Sequence, residues 1–279
     1  MKKYILFVLC IIIIFSYVFF PDYDNLQVTF VDVGQGDSTV LFFPDSEVMV
    51  IDAGEKSEVG SLITFLKSNR VKEIDVLVAT HPHSDHIGGM TELLSEFKVS
   101  KVYMPKVVHD TSIYYSFLES ITEQEIDVTE AKGGVSIYPE DSLIKADFLA
   151  PNSGEYEELN NYSAVLKVSY KDISFLFMGD AEAESEYEML NQDYDLKADV
   201  LKVAHHGSNT SSTRRFIDAV SPKFAVISAD GESYSHPHNE TLDRLYGVNI
   251  IKTYEEGNIS FETDGITLER KQDLYEIFD

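Results

Sequence analysis

The feature that most constrains this chain is a short segment with three histidines and one aspartate within six positions. Residues 79–89 have the sequence ATHPHSDHIGG. The three histidines and the aspartate of this segment are His81, His83, Asp85 and His86. The segment follows the apolar run 74–78, which predicts a buried strand, and precedes residues 90–97, whose apolar positions have helical spacing. The pattern therefore predicts a strand, a polar loop and a helix.

This combination of residues predicts a site for metal ions. Imidazole nitrogens and carboxylate oxygens are ligands for zinc, manganese and iron. In a tight turn, His81 and His83 can bind one ion while Asp85 and His86 bind a second ion nearby. Catalytic sites keep a position open for water, and two-metal sites hold that water between the ions. A polar loop with chance histidines is the alternative, but histidine is sparse elsewhere in the chain and the spacing is specific. We expect two divalent ions, zinc or manganese.

The turn 32–38, with the sequence DVGQGDS, joins two strands predicted at 26–31 and 39–43. Its two glycines suit unusual backbone angles. A third strand at 48–51 ends in Asp52, and strands joined by tight turns predict a sheet meander. An ordinary hairpin without a functional role is the alternative for the turn.

Two strand ends in the second half of the chain also have polar residues. Asp180 follows a strand at 173–178, where it either caps the next helix or binds metal. A strand at 199–204 ends in His205 and His206, for which a structural role is the alternative. A two-metal site needs more than four ligands on one rim, so the remaining ligands are expected at these strand ends.

Six motifs resemble, in order, those of the metallo-β-lactamase fold, and in particular the extracellular hydrolase domain of ComEC-type competence proteins. They are DVGQGDS, IDAG, THPHSDHIGG, NNYSAVL, GD and HHGS. The resemblance covers roughly residues 26–270. It implies an α/β fold, an αββα sandwich of two mixed sheets with outer helices and the metals on one rim.

The resemblance also implies roles for single residues. Asp180 bridges both metals, and one histidine of HHGS is a ligand, for which we prefer His205 because it is the first residue after the strand. His236 is expected to hold a phosphate oxygen or to protonate a leaving group. The residues expected to bind metal are His81, His83, Asp85, His86, Asp180 and His205, and those expected to act in catalysis are Asp85 and His236. The residues expected to orient ligands or contact substrate are Asp32, Gln35, Asp37, Asp52, Asn160, Ser163, His206 and Ser208.

The chain departs from the family pattern at residues 160–166. Many enzymes of this fold have a histidine ligand there, and this segment contains none. The metal bound by His81 and His83 is therefore expected to lack one protein ligand and to bind more weakly. An oxygen of Asn160 or Ser163, or a water molecule, is expected in its place.

The amino terminus predicts a membrane anchor. Residues 4–20 are apolar apart from one serine and follow two lysines, which is at the lower edge of the length of a membrane helix. No small-x-small cleavage site follows, so we prefer an uncleaved anchor to secretion after cleavage. The positive-inside rule then predicts a single-pass cell-membrane protein, with an anchor at 1–21 and an extracellular hydrolase domain at 22–279.

Charge limits the substrates that this chain is expected to bind. The formal net charge is −26 at pH 7, which repels nucleic acid at long range, so stable duplex DNA binding is not expected. Bound metal ions can still create a local positive site. Lys202, Arg214 and Arg215 flank the HHGS motif and are expected to form a small patch that steers anions.

The function that the resemblance implies is metal-dependent hydrolysis of a phosphate ester, above all a phosphodiester in nucleic acid or a surface polymer, at the extracellular face. Two divalent ions outweigh the charges of Asp85 and Asp180, which leaves positive charge for a phosphorylated substrate. The ions also lower the pKa of bound water to about 7 and stabilise developing phosphoryl charge. A hydrolase of another ester or lactam, and a non-catalytic surface binding module of the same fold, are the alternatives.

Overall fold

Fourteen strands within residues 25–271, the part of the chain that the computed structural model describes, form two mixed β-sheets. The strands are β1 Leu26–Phe30, β2 Thr39–Phe42, β3 Val48–Ile51, β4 Glu73–Val78, β5 Lys98–Met104, β6 Asp127–Glu130, β7 Ile144–Phe148, β8 Leu166–Tyr170, β9 Ile173–Phe177, β10 Val200–Lys202, β11 Phe224–Ile227, β12 Asn249–Lys252, β13 Ile259–Thr263 and β14 Leu268–Lys271. The α-helices in the same range are α1 Val59–Ser68, α2 Ser84–Ile87, α3 Met90–Glu96, α4 Ser112–Glu123, α5 Ala183–Asn191, α6 Arg214–Val220, α7 Asn239–Arg244 and α8 Thr253–Glu256.

The order of the strands places the carboxyl ends of several of them on one rim. The first sheet has the order β14-β13-β1-β2-β3-β4-β5-β6, and the second has the order β12-β11-β10-β9-β8-β7. Strands β3 to β6 pair in parallel, and so do β9 to β12. Parallel neighbours need crossover connections, which most of the helices supply. Loops that follow β4, β9 and β10 therefore meet at the rim.

Three apolar clusters define the layers of the fold. One lies between the two sheets and includes Phe30, Phe148 and Phe177. A second packs α1, α3 and α4 on the outer face of the first sheet, and a third packs α5, α6 and α7 on the second sheet. Full burial of such a side chain stabilises the fold by roughly 1.5–3 kcal/mol. Two mixed sheets with outer helices agree with the predicted fold class.

The carboxyl-terminal strands are divided between the two sheets. Strand β12 pairs in parallel with β11 in the second sheet, whereas β13 and β14 form a hairpin in the first sheet. The hairpin turns at Asp264, whose Oδ1 accepts hydrogen bonds from the backbone N–H groups of Ile266 and Thr267. Gly265 supplies the left-handed backbone that this turn requires, with a φ of 86°.

The predicted single-pass membrane localisation is wrong for the helices that the structure describes. Within residues 25–271, no helix is both long and apolar enough to cross a bilayer. The longest of them, α4, has 12 residues, whereas a membrane span needs about 20. The apolar run at 4–20 and the predicted boundary after residue 21 lie outside the described residues.

Candidate metal centre

Four side chains from three loops converge at the rim where the parallel strands end. Asp85 and His86 lie in α2 after β4, Asp180 follows β9, and His206 follows β10. Each offers a ligand atom within 4.8 Å of the others. His86 Nε2 lies 3.2 Å from Asp180 Oδ1, and His206 Nε2 lies 3.1 Å from Asp85 Oδ2. We call these residues the group of four.

A second group of three shares one member with the first. His81, His83 and Asp180 also offer ligand atoms within 4.8 Å of one another. His81 Nε2 lies 3.7 Å from Asp180 Oδ2 and 2.9 Å from His83 Nδ1. Burial lowers the pKa of both histidines, so their imidazoles are neutral at pH 7, the form that binds a metal. Asp180 therefore lies between two adjacent candidate sites.

The chemistry of the group of four fits divalent cations. His86 Nε2 and Asp180 Oδ1 are buried and make no hydrogen bond within residues 25–271. Burial opposes the protonation of His206, but the carboxylates of Asp180 and Asp37 outweigh it and raise its pKa to about 10. Converging carboxylates thus favour positive charge here. Imidazole and carboxylate donors suit zinc, manganese and iron alike, so the residues do not decide between these metals.

Asp52 fixes the ring of His86 from behind. It is fully buried at the end of β3, where its φ of 58° lies in the left-handed region. Its Oδ2 accepts hydrogen bonds from His86 Nδ1 at 2.7 Å and from Thr80 Oγ1 at 2.6 Å, and its Oδ1 accepts one from the Thr80 backbone N–H at 2.8 Å. His86 Nδ1 therefore holds the proton, and Nε2 is left for the metal group.

A buried ion pair supports His206 in a similar way. Asp37 Oδ1 lies 2.7 Å from Lys202 Nζ and 3.4 Å from His206 Nδ1. Burial alone would raise the pKa of Asp37, but the charges of Lys202 and His206 outweigh it and lower this pKa to about 2. His206 Nδ1 also donates to the Ser228 carbonyl at 3.0 Å, which leaves Nε2 directed at Asp85.

The structure places His206, and not the preferred His205, in the group of four. Both lie in a 3₁₀ turn with left-handed φ angles of 49° and 51°. This backbone brings the second ring, not the first, into the group of four. His205 also lines the cleft, with Nδ1 3.2 Å from Glu182 Oε1 and Nε2 3.8 Å from Asp180 Oδ2.

Glu182 is a site residue that the sequence interpretation missed. Its Oε1 accepts hydrogen bonds from Asn160 Nδ2 at 3.1 Å and from Thr210 Oγ1 at 2.9 Å. Burial would raise its pKa, but the bonds from His205 and Asn160 outweigh it and lower this pKa. The ionised carboxylate holds the Nδ1–H of His205. In the sequence, Glu182 is one of several glutamates in an acidic segment, and nothing there distinguishes it.

Four members of the two groups, His83, Asp85, Asp180 and His206, line a cleft of about 850 Å³. Of the residues predicted to contact or support substrate, the cleft is lined by Gln35, Asn160, His206, Ser208 and His236. Both amide atoms of Gln35, the Oδ1 of Asn160 and the Nδ1 of His236 are buried without a hydrogen-bond partner in the described structure. Unpartnered polar atoms in a cleft wall are available to a ligand.

Two other predicted residues make structural contacts. Asp32 is not among the described residues that line the cleft, and its Oδ1 accepts from the Gly34 N–H at 3.1 Å. Its own backbone N–H donates to Asn258 Oδ1 at 2.9 Å. Ser163 Oγ accepts from the backbone N–H of Asp180 at 3.0 Å, so this hydroxyl positions the loop that follows β9.

The predicted anion-steering patch is not formed. Lys202 is buried in its pair with Asp37. Arg214 Nη2 donates to a helix carbonyl, that of Asp243, at 2.6 Å, and Arg215 lies over a tyrosine ring. None of the described residues that line the cleft is a lysine or an arginine. His109 also lines the cleft, with its ring centroid 5.8 Å from that of His83.

Comparisons with known proteins agree with this geometry. The family model of the metallo-beta-lactamase superfamily matches residues 31–232. The chain is 33% identical over 255 residues to ComE operon protein 3 of Bacillus subtilis. The aligned region covers 84% of this chain and 33% of that protein. It is 28% identical over 243 residues to Competence protein ComA of Neisseria gonorrhoeae, with shares of 85% and 32%. Both relatives are ComEC-type competence proteins, which confirms the resemblance predicted from the motifs.

Two limits apply to these likenesses. The chain spans about a third of the length of these curated relatives. Among solved structures, CmlA, a diiron β-hydroxylase from Streptomyces venezuelae, superposes with a TM-score of 0.56 at 14% identity, over 88% of this chain and 54% of that one. At this identity the likeness shows a shared fold.

Proposed function

Because the chain belongs to the metallo-β-lactamase superfamily, we propose that it is a metal-dependent hydrolase of a phosphodiester. The observation that carries the proposal is a pair of ligand groups that share Asp180 in an open cleft. A phosphodiester is a compact anion, and a site that holds two cations attracts it. The likeness to ComEC-type proteins supports nucleic acid as the source of the diester.

The ligand sets follow from the two groups. One ion would be held by His81, His83 and Asp180, and the other by the group of four, Asp85, His86, Asp180 and His206. Divalent ions bound there activate water at neutral pH and offset charge on the phosphoryl oxygens. Asp85 thus acts as a ligand and not as a separate base.

Asn160 is the residue that supplements the group of three. The segment 160–166 has no histidine, and its two candidate oxygens belong to Asn160 and Ser163. Ser163 Oγ already accepts a hydrogen bond from the Asp180 N–H, whereas Asn160 Oδ1 is buried without a partner in the described structure. The amide oxygen of Asn160 is therefore the one available to a cation or to its water.

His205 and His236 take the roles nearest to the substrate. Glu182 holds the Nδ1–H of His205, so the Nε2 of His205 has a free lone pair. This nitrogen can take up a proton and then donate it to the leaving oxygen. His236 has a pKa lowered to about 4, by burial first and then by neighbouring imidazoles. A neutral His236 donates one hydrogen bond to a phosphate oxygen, and this contact is the role that we assign to it.

Metal content and turnover together test the proposal. Purified protein is equilibrated with zinc or with manganese, and metal per chain is measured by elemental analysis. Asp180→Ala should lower the binding of both ions, and His81→Ala should lower that of one. His205→Ala should leave the metal content unchanged while kcat for a dinucleotide, whose alkoxide leaving group needs a proton, falls by about 10²–10⁴-fold, the range of general acid–base catalysis.

Circular dichroism of each variant controls for loss of the fold. Undiminished metal in Asp180→Ala would contradict the shared ligand, and loss of metal in His205→Ala would restore the role first predicted for that residue. If no phosphodiester were hydrolysed with either metal, the hydrolase proposal would give way to the binding module.

A further inference from the structure

We propose that Tyr234 forms a stacking site for a nucleobase beside the scissile phosphate, and that the substrate is single-stranded nucleic acid. This inference rests on the proposed phosphodiesterase function and names the substrate class of the same site. Nothing in the sequence motifs points to Tyr234. It lies after the HHGS motif and two residues before His236, in a loop of mixed composition.

The position of Tyr234 suits a group that adjoins the reacting phosphate. The side chain lines the cleft although the residue is 78% exposed. Its ring centroid lies 5.8 Å from that of His236, and the His236 ring lies 6.1 Å from that of His206. The tyrosine ring is therefore two ring-to-ring steps from the group of four. A phosphate held at that group places its own nucleoside within reach of the tyrosine.

The backbone holds this exposed ring in a defined place. Asp230 Oδ1 accepts hydrogen bonds from the N–H groups of Glu232 at 2.8 Å and Ser233 at 2.7 Å, and its Oδ2 accepts one from Ser233 Oγ. Tyr234 itself has a left-handed φ of 54°, which is uncommon for a residue with a side chain. Such conformations persist where the surroundings fix them, and they concentrate at functional sites. An exposed aromatic ring on a backbone of defined conformation in a cleft is suited to a planar partner.

The charge of the cleft points to the same partner. Proteins usually gain most of their non-specific affinity for nucleic acid from lysine and arginine contacts to phosphates. None of the described cleft-lining residues is a lysine or an arginine, and the whole chain has a formal net charge of −26. A strand must therefore gain affinity elsewhere than at basic side chains. Stacking of bases on aromatic rings supplies it without charge and without sequence preference. A duplex hides the base faces, so the ring favours a single strand.

The experiment compares three substrates with the metal-loaded full chain. They are a single-stranded oligonucleotide, an abasic oligonucleotide of the same length, and bis(p-nitrophenyl) phosphate. Tyr234→Ala should raise the KM for the base-containing strand by about 5–150-fold, which corresponds to ~1–3 kcal/mol for one stacked base. The KM for the abasic strand should change by less than about twofold, because that strand has no base to stack.

Two variants serve as controls. Tyr234→Phe keeps the ring and should behave as the wild type. Tyr246→Ala removes an equally exposed tyrosine, 87% exposed, that does not line the cleft, and should leave all three KM values unchanged.

Each remaining outcome has a separate meaning. If Tyr234→Ala raised the KM for both strands alike, or for neither, stacking would be disproved while turnover of the small ester still supported the phosphodiesterase. A fourth substrate, poly(glycerol phosphate), tests the alternative source of the diester. If the variant impaired its hydrolysis and spared the oligonucleotide, the ring would serve a surface polymer and the nucleobase proposal would be wrong. A wild type that hydrolysed none of these esters would overturn the function and this inference together.

Discussion

Gln35 combines two properties of a substrate contact. Both polar atoms of its amide are buried without a hydrogen-bond partner in the described structure, and the residue lines the cleft. A buried polar group without a partner costs about 1–3 kcal/mol of stability. Groups of this kind are rare in folded proteins, and functional sites are where they are tolerated. We infer that the Gln35 amide meets a polar atom of the substrate.

A substitution that keeps the volume of Gln35 separates stability from activity. Gln35→Leu removes the unpartnered atoms, so we expect an unchanged Tm or a rise of about 2–4 °C for each kcal/mol regained. The same change should lower kcat/KM for bis(p-nitrophenyl) phosphate by about 5–10-fold, the loss of roughly one hydrogen bond. Thermal unfolding and initial rates measure the two effects. A lower Tm with full activity would show that the amide supports the fold instead.

The two adjacent residues His205 and His206 show where the position of a single side chain cannot be predicted from the sequence. The motif predicts a metal ligand at this strand end, and the structure places the ring of His206 there within the group of four. Which of the two adjacent histidines lies in the group depends on left-handed backbone angles at both. The preference of histidine for such angles is too weak to predict them from the sequence. Glu182 escaped for a related reason, because its partners Asn160 and Thr210 are distant in sequence.

Among the elements, the turn 32–38 both closes a hairpin and supports a segment of the candidate metal centre. It closes an ordinary hairpin between β1 and β2, with the Val31 N–H bonded to the Ser38 carbonyl at 2.9 Å. It also supports residues 79–89, here called the metal loop, because the Asp37 N–H donates to the Asp85 carbonyl at 3.1 Å. The hairpin therefore helps to fix the position of α2, which contains Asp85 and His86.

Gly36 is the point where this turn touches the metal loop. A Cβ built there would lie 2.4 Å from the Asp85 carbonyl oxygen, and the φ of Gly36 is 136°. We expect Gly36→Ala to destabilise the protein by about 1–3 kcal/mol, the usual cost of overpacking, and to lower metal binding by the group of four because Asp85 is displaced. Urea unfolding and elemental analysis measure the two effects.

Gly60 offers the matched control for this prediction. It lies in α1, and a Cβ added at this position would have nothing within 4 Å among the described residues. Gly60→Ala should therefore stabilise the helix by up to about 1 kcal/mol. Equal stability and metal content in the Gly36 and Gly60 variants would show that the turn does not set the position of the metal loop.

The sequence predicted the elements that surround the site better than those at the edges. Strands β4, β9 and β10 are short apolar runs with polar residues at their ends, so their pattern and their function point the same way. Strand β6 is largely exposed, and its burial pattern has no apolar face to recognise. Strand β12 lies beside β11 in the second sheet, a pairing that is set by long-range packing and not by its own residues.

For the whole molecule, charge and the metal centre oppose each other. The formal net charge of −26 surrounds a cleft whose described lining has neither lysine nor arginine. A polyanion is therefore repelled at distances up to the Debye length, about 8–10 Å at physiological salt, and attracted only at the metals. We therefore expect small diesters to enter the cleft more easily than long strands, with duplex DNA the least favoured because its phosphate charge is densest.

This opposition predicts an unusual dependence on salt. Most proteins that act on nucleic acid lose affinity as salt rises, because counterions compete with their basic side chains. Here added salt screens repulsion and displaces no basic contact from the described lining of the cleft. We therefore expect the KM for single-stranded DNA to stay constant or to fall as monovalent salt rises from about 20 to about 150 mM. Duplex DNA should remain the poorer substrate throughout.

The measurement is KM across this salt range at fixed free metal, with bis(p-nitrophenyl) phosphate as the control for direct effects of salt on the metal site. The small ester has one charge and touches little surface, so its KM should be nearly flat. A KM for single-stranded DNA that rose steeply with salt, with a slope of several in the double-logarithmic plot, would reveal multiple basic phosphate contacts. Those contacts would have to lie outside the cleft, and the strand would then cross a surface other than the one that leads past Tyr234.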